Sequence, residues 1–177
     1  SKGSQTNKGD ETMKKLILVL ILACMVLPTA AYAGPPVDVA GDFTYAPTGC
    51  EHERWANDNQ FVWDCHDEGV WPSGDFVGIS EEVYSVAFHG AAEGGFEYGY
   101  EYAFYKGNPT FYGLVDGKEG TLEFLFIGTS PGFLDVWDGT WRILSGTGEL
   151  ANLRGNGVHW APGLGQVHYE GQIHFDP

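Results

Sequence analysis

The chain is 177 residues long, with 24 acidic against nine basic side chains and a formal charge of −15. That balance excludes a nucleic-acid binder, which needs Lys and Arg to neutralise phosphates, and it disfavours docking on an anionic membrane surface. A content of 15% aromatic residues is too high for a disordered acidic tail, and the length fits one domain.

In chain order, residues 1–12 precede the first methionine and are set aside as a leader. Met13-Lys14-Lys15, the apolar run Leu16–Leu22 and Ala31-Tyr32-Ala33 supply a basic n-region, an apolar h-region and a small-residue cleavage site. Residues 13–33 therefore read as a secretory signal peptide, cleaved near Ala33, which predicts a secreted or periplasmic protein. The rival reading takes Ile21-Leu22-Ala23-Cys24 as a lipoprotein box with Cys24 as the lipid anchor; the short apolar run before Cys24 and the Ala-x-Ala site after it favour plain export. Cleavage leaves a single domain, residues 34–177, with 22 acidic and five basic residues, a net −17, and 25 aromatic side chains. No other segment approaches the length of apolar chain that a membrane-spanning helix needs.

In this domain period-two alternation replaces helical periodicity, and glycines punctuate it at the spacing of a sandwich or barrel. Val37, Val39, Gly41, Phe43 and Tyr45 open the pattern. Residues 46–68 are polar and are expected to be irregular, pinned by a Cys50–Cys65 disulfide, since an even cysteine pair in an exported chain most simply cross-links. The competing reading is a metal site built from Cys50, His52, Cys65 and His66, but zinc sets use wider spacings within each pair. Tyr84, Val86 and Phe88 alternate next. The clearest run, 96–104, places Phe96, Tyr98, Tyr100, Tyr102 and Phe104 on one face. Asp116-Gly117 marks a turn before Leu122, Phe124 and Phe126; Trp137, Gly139, Trp141 and Ile143 follow; and Val167, Tyr169, Gly171, Ile173 and Phe175 end the series. Eight or nine strands with short connections predict an all-β, closed antiparallel barrel. The one helical stretch is Gly148–Leu153, where Leu150 and Leu153 would dock on the barrel end and Arg154 would be held by a carboxylate or by free carbonyls.

Two motif matches fail on context. Gly128-Thr129-Ser130-Pro131-Gly132 fits G-x-S-x-G, but strands flank it where a nucleophile elbow needs a strand, a turn and a helix. Gly146-x-Gly148-x-x-Ala151 lacks the βαβ unit of a dinucleotide site.

The C-terminal half carries a resemblance. Phe111-Tyr112-Gly113-Leu114, Gly120-Thr121, Trp141-Arg142-Ile143, the segment Ser145–Gly157 (SGTGELANLRGNG) and the ending Tyr169–Phe175 are similar to a bacterial domain-of-unknown-function family with a barrel like that of allene oxide cyclase. The resemblance spans about residues 108–177. It implies an eight-stranded, calycin-like antiparallel barrel with an apolar interior, and no established reaction. The cyclase relatives act on an oxidised fatty-acid epoxide, chiefly by confining it, and none of their catalytic residues can be placed here.

Candidate site residues follow from the barrel. Tyr98, Tyr100 and Tyr102, with Phe124 and Trp141, are the lumen candidates for a small apolar or lipid-like ligand, because an eight-stranded barrel either fills itself or holds one small molecule. Core packing is the alternative role for the tyrosine ladder. Glu123 and Arg142, charged within strands, are the candidate polar groups of the lumen. His159 and His168 are weak metal candidates: a hairpin closed around residues 161–165 would set them opposite each other, unless both are solvated surface histidines. No cofactor and no other metal site is called for. The leading expectation is an acidic, monomeric or weakly oligomeric ligand-binding barrel. The alternatives are a cofactor-independent cyclase or isomerase acting by confinement, and a non-catalytic envelope protein with a filled interior.

Overall fold

A computed structural model describes residues 34–132, 136–163 and 165–177. The leader 1–12 and the expected signal segment 13–33, with Cys24 and Ala33, lie outside the described residues. Eight strands follow in order: β1 (Val37–Ala56), β2 (Asn59–Gly74), β3 (Phe76–His89), β4 (Tyr102–Val115), β5 (Lys118–Ser130), β6 (Trp137–Gly146), β7 (Leu153–Gly163) and β8 (Gln166–Phe175). Each pairs antiparallel with the next, and β8 returns to β1, so the sheet closes into a barrel in sequence order, as expected. The turn at Asp116-Gly117 has φ of 52° and 73° at its two central residues. Both values are positive, which is what a tight two-residue hairpin with matching twist requires.

Closure sends alternate side chains inward, and one half of the lumen is filled. Trp71, Phe76, Phe111, Phe124, Trp141 and Tyr169 interlock there, with Trp71 stacked on Phe43 at 4.1 Å between ring centroids. Their polar atoms are satisfied. The Trp141 indole N–H donates to the carbonyls of Val158 and Glu170, each at 3.1 Å, and the Trp71 indole N–H donates to Ser80 Oγ at 3.0 Å. Leu122, Leu150 and Leu153 close this end and are wholly buried. The Ser145–Gly157 segment is thus an architectural plug. Arg154 holds it with hydrogen bonds to the carbonyls of Ala151 and Leu153 and an ion pair to Asp176 at 3.1 Å, which is both expected forms of support at once.

Three elements differ from expectation. Residues 46–68 are a long hairpin, the distal part of β1 paired with the start of β2, with Cys50 directly opposite Cys65 and disulfide-bonded to it. From Ala46 onward β1 has β2 as its one strand neighbour among the described residues. It faces no core, so nothing imposes a hydrophobic alternation on it. The expected strand 96–104 begins only at Tyr102; Phe96–Tyr98 is a single 3-10 turn. Gly94, Gly95 and Gly99, with φ of 98°, 128° and 132°, take conformations closed to a β-strand of L-residues and break the run on both sides. The expected helix over 148–153 is likewise one 3-10 turn, Gly148–Leu150, and Leu153 already belongs to β7.

Candidate functional site

The other half of the lumen is a cavity of about 410 Å³. Phe43 and Phe126, which pack on the filled half, form its floor. Val62, Val86, Phe88 and Val167 line its sides, and it reaches the rim at the exposed residues Pro47, Cys50 and Glu97. This volume is in the range of sites that take small molecules, and the lining is mostly apolar with a few convergent polar groups.

Those groups come from four strands. Asp67 on β2 and Glu82 on β3 are direct cross-strand partners, and both point inward, 8% and 9% exposed. Two acids at opposed positions repel each other when both are ionised. The Tyr105 hydroxyl, from β4, donates to Glu82 Oε1, and Glu82 is in turn hydrogen-bonded to Asp67. Gly107 makes this possible: a Cβ there would collide with the Glu82 carboxyl and the Tyr105 hydroxyl. Tyr84 packs beside Tyr105 at 5.7 Å between centroids.

Burial sets the protonation of this cluster. It pushes the Asp67 carboxyl up to about 6, against the hydrogen bond from Glu82. It raises Glu82 further, with the Asp67 charge adding to the effect. Burial and mutual repulsion therefore favour a proton shared by the pair over two ionised carboxylates. Tyr84 is pushed up to about 12 and Tyr105 is also raised, both first by burial and then by the neighbouring carboxyls, so both remain neutral donors.

His159 completes the site from β7, across the ring from β3. Its ring lies against Phe126 at 4.8 Å between centroids, in space left by Gly139, where a Cβ would come within 2.6 Å of Cε1. It is 5% exposed, and its Nδ1 has no hydrogen-bond partner among the described residues. Burial alone lowers its pKa to about 4, so the imidazole is uncharged at neutral pH.

The residues singled out from sequence distribute unevenly over this site. Tyr100 lines the cavity, bonding to Ser130 Oγ at 3.0 Å and packing on Phe88. Phe124 and Trp141 face the lumen, but in its filled half. Tyr98 and Tyr102 do not: Tyr98 is 75% exposed on the 3-10 turn, and Tyr102 stacks outside on His89 at 4.2 Å. Glu123 and Arg142 are corrected too. Their neighbours Leu122, Phe124, Trp141 and Ile143 take the inward positions, so the two-residue period turns both charges outward, where Glu123 accepts a hydrogen bond from Ser145 Oγ at 2.8 Å. His159 pairs with Tyr169, and His168 pairs with Trp160. That one-residue difference in register puts the two histidines on opposite faces of the wall, and His168 forms an ion pair with Asp42 instead. They cannot share a metal, and no group of three metal-ligating side chains occurs among the described residues.

Sequence reasoning missed Asp67, Glu82 and Tyr105. A signal for Glu82 was present: the alternation of Tyr84, Val86 and Phe88, extended two residues back, lands on it. The signal for Asp67 is weak, because the inward positions of β2 are Gln60, Val62, Cys65, Asp67, Gly69 and Trp71, with the period broken between Val62 and Cys65 and a glycine between Asp67 and the one large apolar residue that follows.

No protein-family model and no curated protein matches the chain. A solved structure of a DUF3224-family protein of unknown function, from Shewanella oneidensis MR-1, is similar in fold. It superposes with a TM-score of 0.61 at 18% identity, over 81% of this chain and 99% of that one. The expected likeness to a family of unknown function with a β-rich fold stands at this level.

Proposed function

We propose that this chain is an exported acidic barrel that binds a small apolar ligand in the open half of its lumen. The observation that carries this reading is the 410 Å³ cavity, with apolar walls and a buried cluster of Asp67, Glu82, Tyr105 and His159 facing into it. A barrel serving only as a packed envelope protein would have no use for such a space, nor for inward acids that burial keeps partly protonated. Export is supported by the signal-like leader and by the Cys50–Cys65 disulfide, which is consistent with an extracellular or periplasmic location. No helix among the described residues is long and apolar enough to cross a membrane.

Native mass spectrometry of protein purified from its own host tests the reading. A co-purifying small molecule, lost on denaturation, is expected. Bare polypeptide mass in several independent preparations would overturn it. The same spectra check processing, since cleavage after Ala33 gives a chain beginning at Gly34.

A second reading rests on the hydrogen-bonded chain from Tyr105 through Glu82 to Asp67, opposite a neutral imidazole. A carboxyl holding its proton near neutrality and a carboxylate beside it are the equipment of general acid–base chemistry in a site shielded from water. Such equipment suits a cofactor-independent cyclase or isomerase that confines its substrate. Turnover that Glu82→Gln lowers far more in kcat than in KM would distinguish catalysis from binding.

A further inference from the structure

The open lumen has charge of one sign only. Asp67 and Glu82 lie within it, Glu97 stands at its rim, and among the described residues no lining side chain is Lys or Arg. A ligand carboxylate entering it would be desolvated beside a like charge with no counter-ion, a costly arrangement at short range in an apolar surrounding. Fatty acids, the obvious lipid-like occupants, are therefore poor candidates. A cation meets the opposite conditions. The Asp67 and Glu82 oxygens can accept hydrogen bonds, and Phe43, Tyr84, Tyr105 and Trp137 make the lining rich in aromatic rings, to which a desolvated cation is attracted.

His159 is the independent sign that a polar ligand belongs here. A buried nitrogen without a partner is unusual and unfavourable. His159, which lines the same cavity from β7, carries such an atom in Nδ1. Its uncharged ring does not repel a cation and can accept one further N–H or O–H.

Building on the reading of the lumen as a ligand site, we propose that the ligand is a hydrophobic amine, with its ammonium group on the Asp67–Glu82 pair, its apolar body along the aromatic walls, and a donor accepted by His159. The ligand class is thus set by the head group, while the apolar walls tolerate a range of bodies.

Isothermal titration calorimetry with three probes of one chain length separates the possibilities: decylamine, 1-decanol and sodium decanoate, each below its micelle concentration and at about pH 7.5. Decylamine is expected to bind tightest, roughly tenfold better than decanol, the effect of one charge-assisted hydrogen bond, with decanoate weakest. In the Asp67→Asn/Glu82→Gln double variant, decylamine is expected to fall to the level of decanol; Asp67→Asn alone gives the same ranking with a smaller loss, should the double variant fail to fold. Val86→Trp, which fills the cavity, is expected to abolish saturable binding of all three. Equal binding of the three heads, or an amine preference that survives in the double variant, would overturn the amine assignment and leave the lumen as an apolar site. Absence of any saturable binding that Val86→Trp removes would sink the lumen reading itself.

Discussion

Asp67 and His159 are displaced in opposite senses, and the pH dependence of stability should separate them. A carboxyl with a raised pKa binds its proton more tightly in the folded chain than in the unfolded one. The resulting burden on stability is absent below the ordinary value of 3.8, grows as pH rises to about 6, and is full above that. Asp67→Asn is therefore expected to stabilise the protein by about 1–2 kcal/mol near pH 7.5, and by much less near pH 4. His159 runs the other way. Its pKa is lowered from 6.5 to about 4, so its burden is absent above 6.5 and grows as pH falls through that window. His159→Gln should flatten the acid loss of stability between those values. Urea midpoints of both variants and the parent at three pH values check the two together; a gain from Asp67→Asn that is the same at both ends would show that folding does not raise the Asp67 pKa. These residues were hard to read in the sequence for one physical reason. A binding site puts polar groups where alternation expects apolar ones, so Asp67 looked like surface and Glu82 like the polar interval in an apolar strand. The tyrosines drew attention instead, and the glycines around Phe96–Tyr98 turned two of the three outward.

At the scale of elements, legibility tracks the demand for burial. The strands that close over the packed core (the start of β1, then β5, β6 and β8) wrote their alternation plainly, and the Asp116-Gly117 turn wrote its own geometry. The β1 arm of the hairpin over 46–68 did not, because from Ala46 onward it has no core to face; its exposed, charged sequence also suits an edge that must not recruit other strands. The disulfide should then be what fixes this hairpin. It closes a separation of 15 residues. A loop of that size is worth about 3 kcal/mol in the chain-entropy model, so Cys50→Ser/Cys65→Ser should lower the urea midpoint by a corresponding amount. Labelling of the parent protein without reductant should modify neither cysteine. The plug makes a second test. Leu150 is wholly buried against the barrel end, and Leu150→Ala should cost about 2–5 kcal/mol, while leaving the shape of the open half and its ligand binding intact.

At the scale of the whole molecule, the charge on residues 34–177 and the one-signed lumen belong to one field. Of 22 acidic residues, Asp67 and Glu82 are buried, and five basic residues cannot neutralise the rest. Such a surface repels itself, which keeps copies apart and strains the compact state, and it draws cations toward the rim. Salt should therefore have two opposed effects. Screening relieves the self-repulsion, so Tm should rise with sodium chloride, by about 4 °C for each 1 kcal/mol relieved in a domain of this size. Most of that rise should be complete by about 0.3 M, because the Debye length is already about 10 Å at 0.1 M; a solvation effect of the salt would instead continue linearly to molar concentrations. Over the same range the association rate of decylammonium should fall, as the field that steers it is screened, while that of decanol should not change. Differential scanning calorimetry and stopped-flow tryptophan fluorescence measure the two quantities on one protein. A flat Tm below 0.3 M would mean that the acids are balanced where they stand. A salt-insensitive amine rate beside a rising Tm would mean that the field strains the barrel without reaching its mouth.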